Sequence, residues 1–399
     1  MKTSKRDLLD ASLLISGTSV GGGILGLPII TAKAGFFPSL FTFSICYLFM
    51  CCTGLLILEV FLSLKKQEAN FVSMSRSSLG KTASYFTVFC YFFLFYCLCL
   101  SYIQGMGESL TRISLNRLQA WQSNILLVTF FSPFLVYGTQ VVKLVNTALM
   151  LLTIVSYIAF FYLASPHVEL QNLFVHNWSH ASFTLPFAFV SFGYQGILPS
   201  MIAQYKDRLH TVRLSIFIGN LLALLAYSSW QWLVLGIVPL ESGLFQKALA
   251  EGKTALFCLE QYFSNNLAFG IVECFGFSAI STSFLCVSLG LKDFIFDLLQ
   301  IENKHAHHLK VSLLVVCPPL IASIIYPSLF LTALNLAGGF GGSYLLGLLP
   351  ILMAIKSRKQ TETKKEVLGG TPLLYCMLVF VLLVILVECI QEFSISPAQ

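Results

Sequence analysis

Apolar residues run almost unbroken over bilayer-crossing distances from one end of this chain to the other, with polar residues gathered between the runs. Runs of 18 or more such residues read as transmembrane helices. The approximate limits are 8–31, 35–64, 84–110, 124–140, 142–165, 182–203, 214–239, 266–297, 310–326, 328–354 and 373–392, about eleven spans. The stretches 124–165 and 310–354 are each long enough for two helices, with breaks expected at Tyr137-Gly138-Thr139 and Tyr326-Pro327-Ser328. The spans divide into five (1–165), five (166–356) and one (357–399, a loop plus the last helix). An odd number of crossings turns the second half upside down. Long connections after the second span of each half, at about 65–83 and 240–265, fall on opposite faces as inversion requires. The expected fold is an all-α membrane protein with a five-plus-five inverted repeat and one extra C-terminal helix.

Composition narrows this further. The chain is 56% hydrophobic and 11% charged, with mean hydropathy +0.81, whereas an ordinary soluble domain is about a quarter charged. The net charge of +6 does not point to nucleic acid, because the basic residues lie between spans and report topology. With the N-terminus inside, cytoplasmic loops take Lys65, Lys66, Arg76, Lys81, Lys206, Arg208, Arg213, Lys304, Lys310 and the 356–365 cluster. That is about 19 basic residues inside against about 5 outside (Lys33, Arg112, Arg117, Lys247, Lys253), so the N-terminus is expected inside and the C-terminus outside. The first apolar run is too long for a signal h-region and no small-x-small site follows, so it is expected to be retained. Nearly all of the 12 cysteines sit in apolar runs, without a C-x-x-C pair, and read as small core residues. His167, His176 and His180, and His305, His307 and His308, lack partners at metal spacing. No metal and no cofactor are expected.

Two spans contain residues ill suited to helices. "SGTSVGGGILGLPI" (16–29) and "SFGYQGILPS" (191–200) each open a half, and each mixes glycine, polar side chains and a terminating proline. Aligned, Gly22 falls on Gly193 and Leu27-Pro28 on Leu198-Pro199. The letters G-x-G-x-x-G (Gly21, Gly23, Gly26) lack the strand, soluble βαβ unit and acidic residue of a dinucleotide site. Gly costs about 1 kcal/mol and Pro about 3 kcal/mol within a helix, and a freed backbone group in a bilayer costs more unless something satisfies it. Paired interruptions of this kind are the best sequence pointer to a transporter binding site. A half-helix N-terminus suits a carboxylate, and a half-helix C-terminus suits an ammonium. The carboxylate is expected on the amides of Gly22 and Gly23, with Gly21 shaping the turn. The amine is expected near carbonyls of Ser19 and of Ser191, Phe192 and Gly193.

"GTSVGGGILGLP", "SFGYQGILPSM" and "STSFLCVSLGLKDFIFD" resemble the first, sixth and eighth helices of the hydroxy/aromatic amino acid permease family, and the resemblance runs over essentially the whole chain. It implies a leucine-transporter-type fold and proton-driven uptake of an aromatic amino acid, tyrosine first, across a bacterial inner membrane. Tyr194 and Gln195 are where specificity is expected. Phe192, Tyr194, Tyr102 and Gln104 are expected to reach the pocket from a broken helix or the third span.

Ionisable residues inside spans are functional candidates by default. Glu59 is a candidate proton carrier, or a structural carboxylate bonded to a neighbouring helix. Glu273 lies in the eighth span without an assigned role, Glu388 reads as packing, and Asp293 and Asp297 read as a solvated rim that Lys292 helps neutralise. Ser278, Ser281, Thr282 and Ser283 form a hydroxyl patch. By the fold resemblance this patch faces the first broken helix, making Ser281 and Thr282 candidates for a coupling ion. The resemblance favours protons over sodium. Competing expectations are a sodium-coupled symporter of serine or a branched-chain amino acid on the same fold, or a non-transporting membrane subunit or intramembrane enzyme. No catalytic constellation supports an enzyme, and an amino acid and the lipid bilayer are the expected partners.

Overall fold

The computed structural model describes residues 5–64, 70–137, 139–263, 267–299, 305–360, 365–367 and 370–395. Lys65, Lys66, Gly138, Lys304 and residues 361–364 of the basic cluster lie outside the described residues. Helices α1 (Lys5–Ser19), α2 (Gly23–Thr31), α3 (Phe36–Ser63), α4 (Phe71–Leu79), α5 (Lys81–Ile113), α6 (Ala120–Tyr137) and α7 (Thr139–Ala164) make up the first part. There follow α8 (Leu170–Phe174), α9 (Leu185–Ser191), α10 (Leu198–Gln204), α11 (Leu209–Ile237), α12 (Leu244–Ala250), α13 (Ala255–Phe263) and α14 (Leu267–Leu299). The chain closes with α15 (His305–Ile325), α16 (Phe330–Leu336), a π-helix over Ala337–Leu348, α17 (Leu349–Gln360) and α18 (Gly370–Ile395). Ser343 Oγ donates to Gly338 O, five residues back, at 3.0 Å in the π-helix.

Among the described residues, nine helical stretches are long and apolar enough to cross a membrane, and ten with the bent α1–α2 pair as one. Ala120–Tyr137, at the place of the expected fourth span, is not among them; it opens on the polar run WQSN. Both long connections carry short helices, α4 in the first and α12 and α13 in the second.

The helices pack in two groups. α1, α2 and α3 gather around α11, with α9 packed on α2 and α3, whereas α5 and α7 flank α14, with α6 and α15 beside α5. The π-helix touches both groups, through α9 on one side and α5 on the other.

The first span breaks as its residues require. Ser16, Thr18 and Ser19 each turn a hydroxyl back onto a carbonyl three or four residues earlier, a habit that bends helices. α1 and α2 then meet at 54°. The prolines act differently from the expected terminators. Pro28 sits inside α2, and Pro199 stands in the first turn of α10, where its missing N–H is no loss.

Candidate substrate site

The break in the first span is built on close approach. Gly22 has ordinary helical angles (φ −56°), so it is needed for space: a Cβ there would lie 2.6 Å from the Tyr102 ring. At Gly23 a Cβ would come within 2.7 Å of Ser191 Oγ. Gly21 was expected to shape the turn, yet its φ is not positive, and its requirement is the adjacent Ser283 hydroxyl. The Gly22 amide donates to Ser283 Oγ at 3.1 Å. Ile24 and Leu25 amides return to Gly21 and Gly22 carbonyls in tight turns that start α2.

Tyr227 of α11, which the sequence did not single out, joins the two breaks. Its hydroxyl sits 2.6 Å from Ser19 O and 2.5 Å from Ser191 O, the ends of α1 and α9. One proton serves two carbonyls, both at helix C-termini where the dipole is negative. The ring is buried and rests edge-on against Phe192 at 4.9 Å.

A cavity of about 130 Å³ lies against these breaks. Thr18, Ser19, Gly23 and Ser191 supply its polar end, and Tyr91, Phe95, Leu98 and Tyr102 form an apolar wall on α5. Their spacing is one helical stripe, so the wall was legible as periodicity, although only Tyr102 was picked out. Phe71 of α4 and Leu345 and Leu346 of the π-helix complete the far side.

Ser19, Gly23, Ser191, Gly193, Tyr194 and Tyr102 thus come together around one cavity. Other expected site residues point elsewhere. Tyr194 touches the cavity, but its hydroxyl donates to Met50 O at 2.8 Å; Gln195 Nε2 donates to Thr53 Oγ1 at 3.0 Å, so both side chains anchor the break to α3. Phe192 packs on Tyr227 and Phe43. Gln104 donates to Tyr326 O at 2.5 Å and lines a second cavity beyond Tyr102, with Glu108 and Arg112. In the hydroxyl patch, Ser281 reaches Met106 Sδ and Thr282 bonds its own helix, while Ser283 is the one that meets the first break.

The buried charges sort themselves too. Glu59 stands in a two-pronged pair with Arg358 of α17, at 2.6 and 2.8 Å, and also accepts from the Glu366 amide. Glu366 in turn pairs with Arg213 of α11. Lys292 is buried and donates to Leu135 O, capping the end of α6, and its charge also acts on Asp293 beside it. Asp297 accepts from Asn70, the N-cap of α4. Glu388 is buried and accepts from Asn335 at 2.8 Å. Arg112, counted above as an outer loop residue, is buried between Glu108 and Glu273. Among the described residues no three His, Cys, Asp or Glu side chains are grouped to hold a metal.

The model of the tryptophan/tyrosine permease family matches residues 4–388, nearly the full chain. This protein belongs to the tryptophan/tyrosine permease family. Among its curated relatives, the tryptophan-specific transport protein of Pseudomonas aeruginosa is 28% identical over 94% of this permease and 92% of that protein. The tyrosine-specific transport system 1 of Haemophilus influenzae is 28% identical over 94% of each. In fold, the permease is similar to the Eremococcus coleocola manganese transporter, with a TM-score of 0.62 at 12% identity, covering 99% of this chain and 89% of that one. The relatives are named transport proteins, and the permease is no enzyme.

Proposed function

We propose that this permease imports an aromatic amino acid, tyrosine in the first place, by proton symport across the bacterial inner membrane. The observation that carries the reading is the meeting of two glycine-broken helices, tied by Tyr227, at a cavity walled by aromatic rings. The substrate ammonium takes the carbonyls of Ser19 and Ser191, whose far sides Tyr227 holds. The carboxylate takes the Gly23 amide at the start of α2, next to the Gly22 amide that Ser283 accepts from. The aromatic side chain lies along the α5 stripe. Tryptophan- and tyrosine-specific names among the relatives support an aromatic substrate.

In this reading eleven spans form a five-plus-five inverted repeat with one added helix, N-terminus inside and C-terminus outside. The α1–α3, α9–α11 group rocks against the α5–α7, α14–α15 group around the site, as alternating access requires. Phe71 of α4, in the connection after the second span, lines the cavity, and that connection is cytoplasmic in this topology.

Uptake of labelled tyrosine, tryptophan and phenylalanine into proteoliposomes under imposed proton or sodium gradients tests the reading. Accumulation driven by protons is expected; accumulation driven only by sodium, or of no aromatic amino acid, refutes it. Gly22→Leu drives a side chain into Tyr102, an overpacking of about 1–3 kcal/mol, and is expected to cut uptake about tenfold or more. Uptake at the wild-type rate by this variant would refute the backbone site.

A further inference from the structure

We propose that Glu273 is the seat of the coupling proton, held in a buried triad with Arg112 and Glu108. This rests on the proton-symport reading above and adds its location, which is not Glu59.

The first argument is charge balance. Around Glu59, two carboxylates (Glu59, Glu366) meet two guanidinium groups (Arg358, Arg213). Around Arg112, two carboxylates share one guanidinium: Nε donates to Glu273 Oε1 at 2.5 Å, and Nη1 pairs with Glu108 Oε1. All three side chains are at most 10% exposed. A buried group of net charge −1 calls for one more positive charge, and a proton supplies it.

Hydrogen bonding then selects the carboxylate. Glu108 accepts from Arg112 and, at its other oxygen, from the Thr254 amide at 3.3 Å, so both oxygens are satisfied as an anion. Among the described residues Glu273 Oε2 makes no hydrogen bond, and the nearby Ser109 hydroxyl is itself without a partner. Arg112 Nη2 is likewise without a partner among the described residues.

Other ionisable groups nearby do not cancel the charge. Glu251, Lys253 and Glu260 line the adjoining cavity of about 240 Å³, each at least partly exposed, and give protons an aqueous approach from the outer end. α13 also brings Cys258 near Glu108. α7 presents Tyr157 at this level of α14, α2 presents Leu25, and α6 presents Asn124; none is a cation.

The triad is placed to act on the substrate site. Glu108 and Arg112 follow Tyr102 on α5, Glu108 about 9 Å along the axis, and Glu273 shares α14 with Ser283. Thr254 ties the hairpin of α12 and α13 to Glu108, and Leu256 of that hairpin packs on Gly276. When the hairpin closes, the triad loses water. The protonated triad tolerates that and the charged one resists it, so closure over substrate requires the proton.

Proteoliposomes again give the test, now with Glu273→Gln, which mimics the protonated acid and leaves Glu108 paired with Arg112. Under a one-unit pH step, 1:1 symport concentrates substrate about tenfold at equilibrium. Wild type is expected to reach that ratio. Glu273→Gln is expected to fall to about onefold while still exchanging internal for external substrate, with an exchange rate flat across pH. Glu388→Gln is expected to remain concentrative. Full accumulation by Glu273→Gln, or its loss in Glu388→Gln instead, overturns the proposal and leaves proton symport standing. Sodium-driven uptake by wild type removes both. If Glu273→Gln cannot exchange, Glu273→Asp decides: recovered proton-driven accumulation supports the proposal, and none overturns it.

Discussion

Tyr227 shows what a single residue adds here. In the sequence it stands in "AYSSWQW", among serines, a glutamine and two tryptophans, and nothing local separates it from an interfacial aromatic. Only the fold brings Ser19, 208 residues away, and Ser191 within reach of its hydroxyl. Ser283 was hidden for a related reason, since four neighbouring hydroxyls on α14 differ only by rotation about the helix axis. The glycines were legible because their cost in a helix is large and local. Tyr227→Phe removes the shared donor and leaves two buried carbonyls short of a bond, expected to destabilise the permease by about 1–3 kcal/mol. In the proposed binding mode a substrate ammonium donates to the same carbonyls, so saturating tyrosine is expected to raise the melting temperature of Tyr227→Phe more than that of wild type. Equal shifts in a detergent-solubilised thermal melt would count against this.

At the level of elements, the paired breaks and the stripe on α5 follow from periodicity, while the cross-links between helices do not. Glu108 and Arg112 carry the i, i+4 spacing of a helical ion pair, but the third member, Glu273, lies 161 residues from Arg112. Glu59 was open to two readings, and its partner Arg358 is nearly 300 positions distant, in a basic cluster assigned to a cytoplasmic loop. The Glu59–Arg358 pair fastens α3 to α17, and the Glu366–Arg213 pair extends the clasp to α11. Glu59→Gln leaves a buried guanidinium uncompensated and is expected to cost about 3–5 kcal/mol. Thermal unfolding should register that loss, and adding Arg358→Gln should recover part of it. No recovery in the double variant would mean that the pair is not the source of the loss.

For the whole molecule, Lys/Arg bias gave an orientation that the two charge clusters make concrete: a balanced one near the expected cytoplasmic face and an unbalanced one near the other. In a cysteine-free background, Ser242→Cys is expected to react with an impermeant maleimide on intact cells, and Asp207→Cys only after permeabilisation. The reverse pattern would invert the permease. The π-helix adds a constraint of another sort, one of chain length. Each residue gained or lost within Ala337–Leu348 rotates everything that follows about the helix axis. Arg358 faces Glu59 only at the present count, so insertions and deletions that surface loops absorb freely would here swing a guanidinium away from its carboxylate.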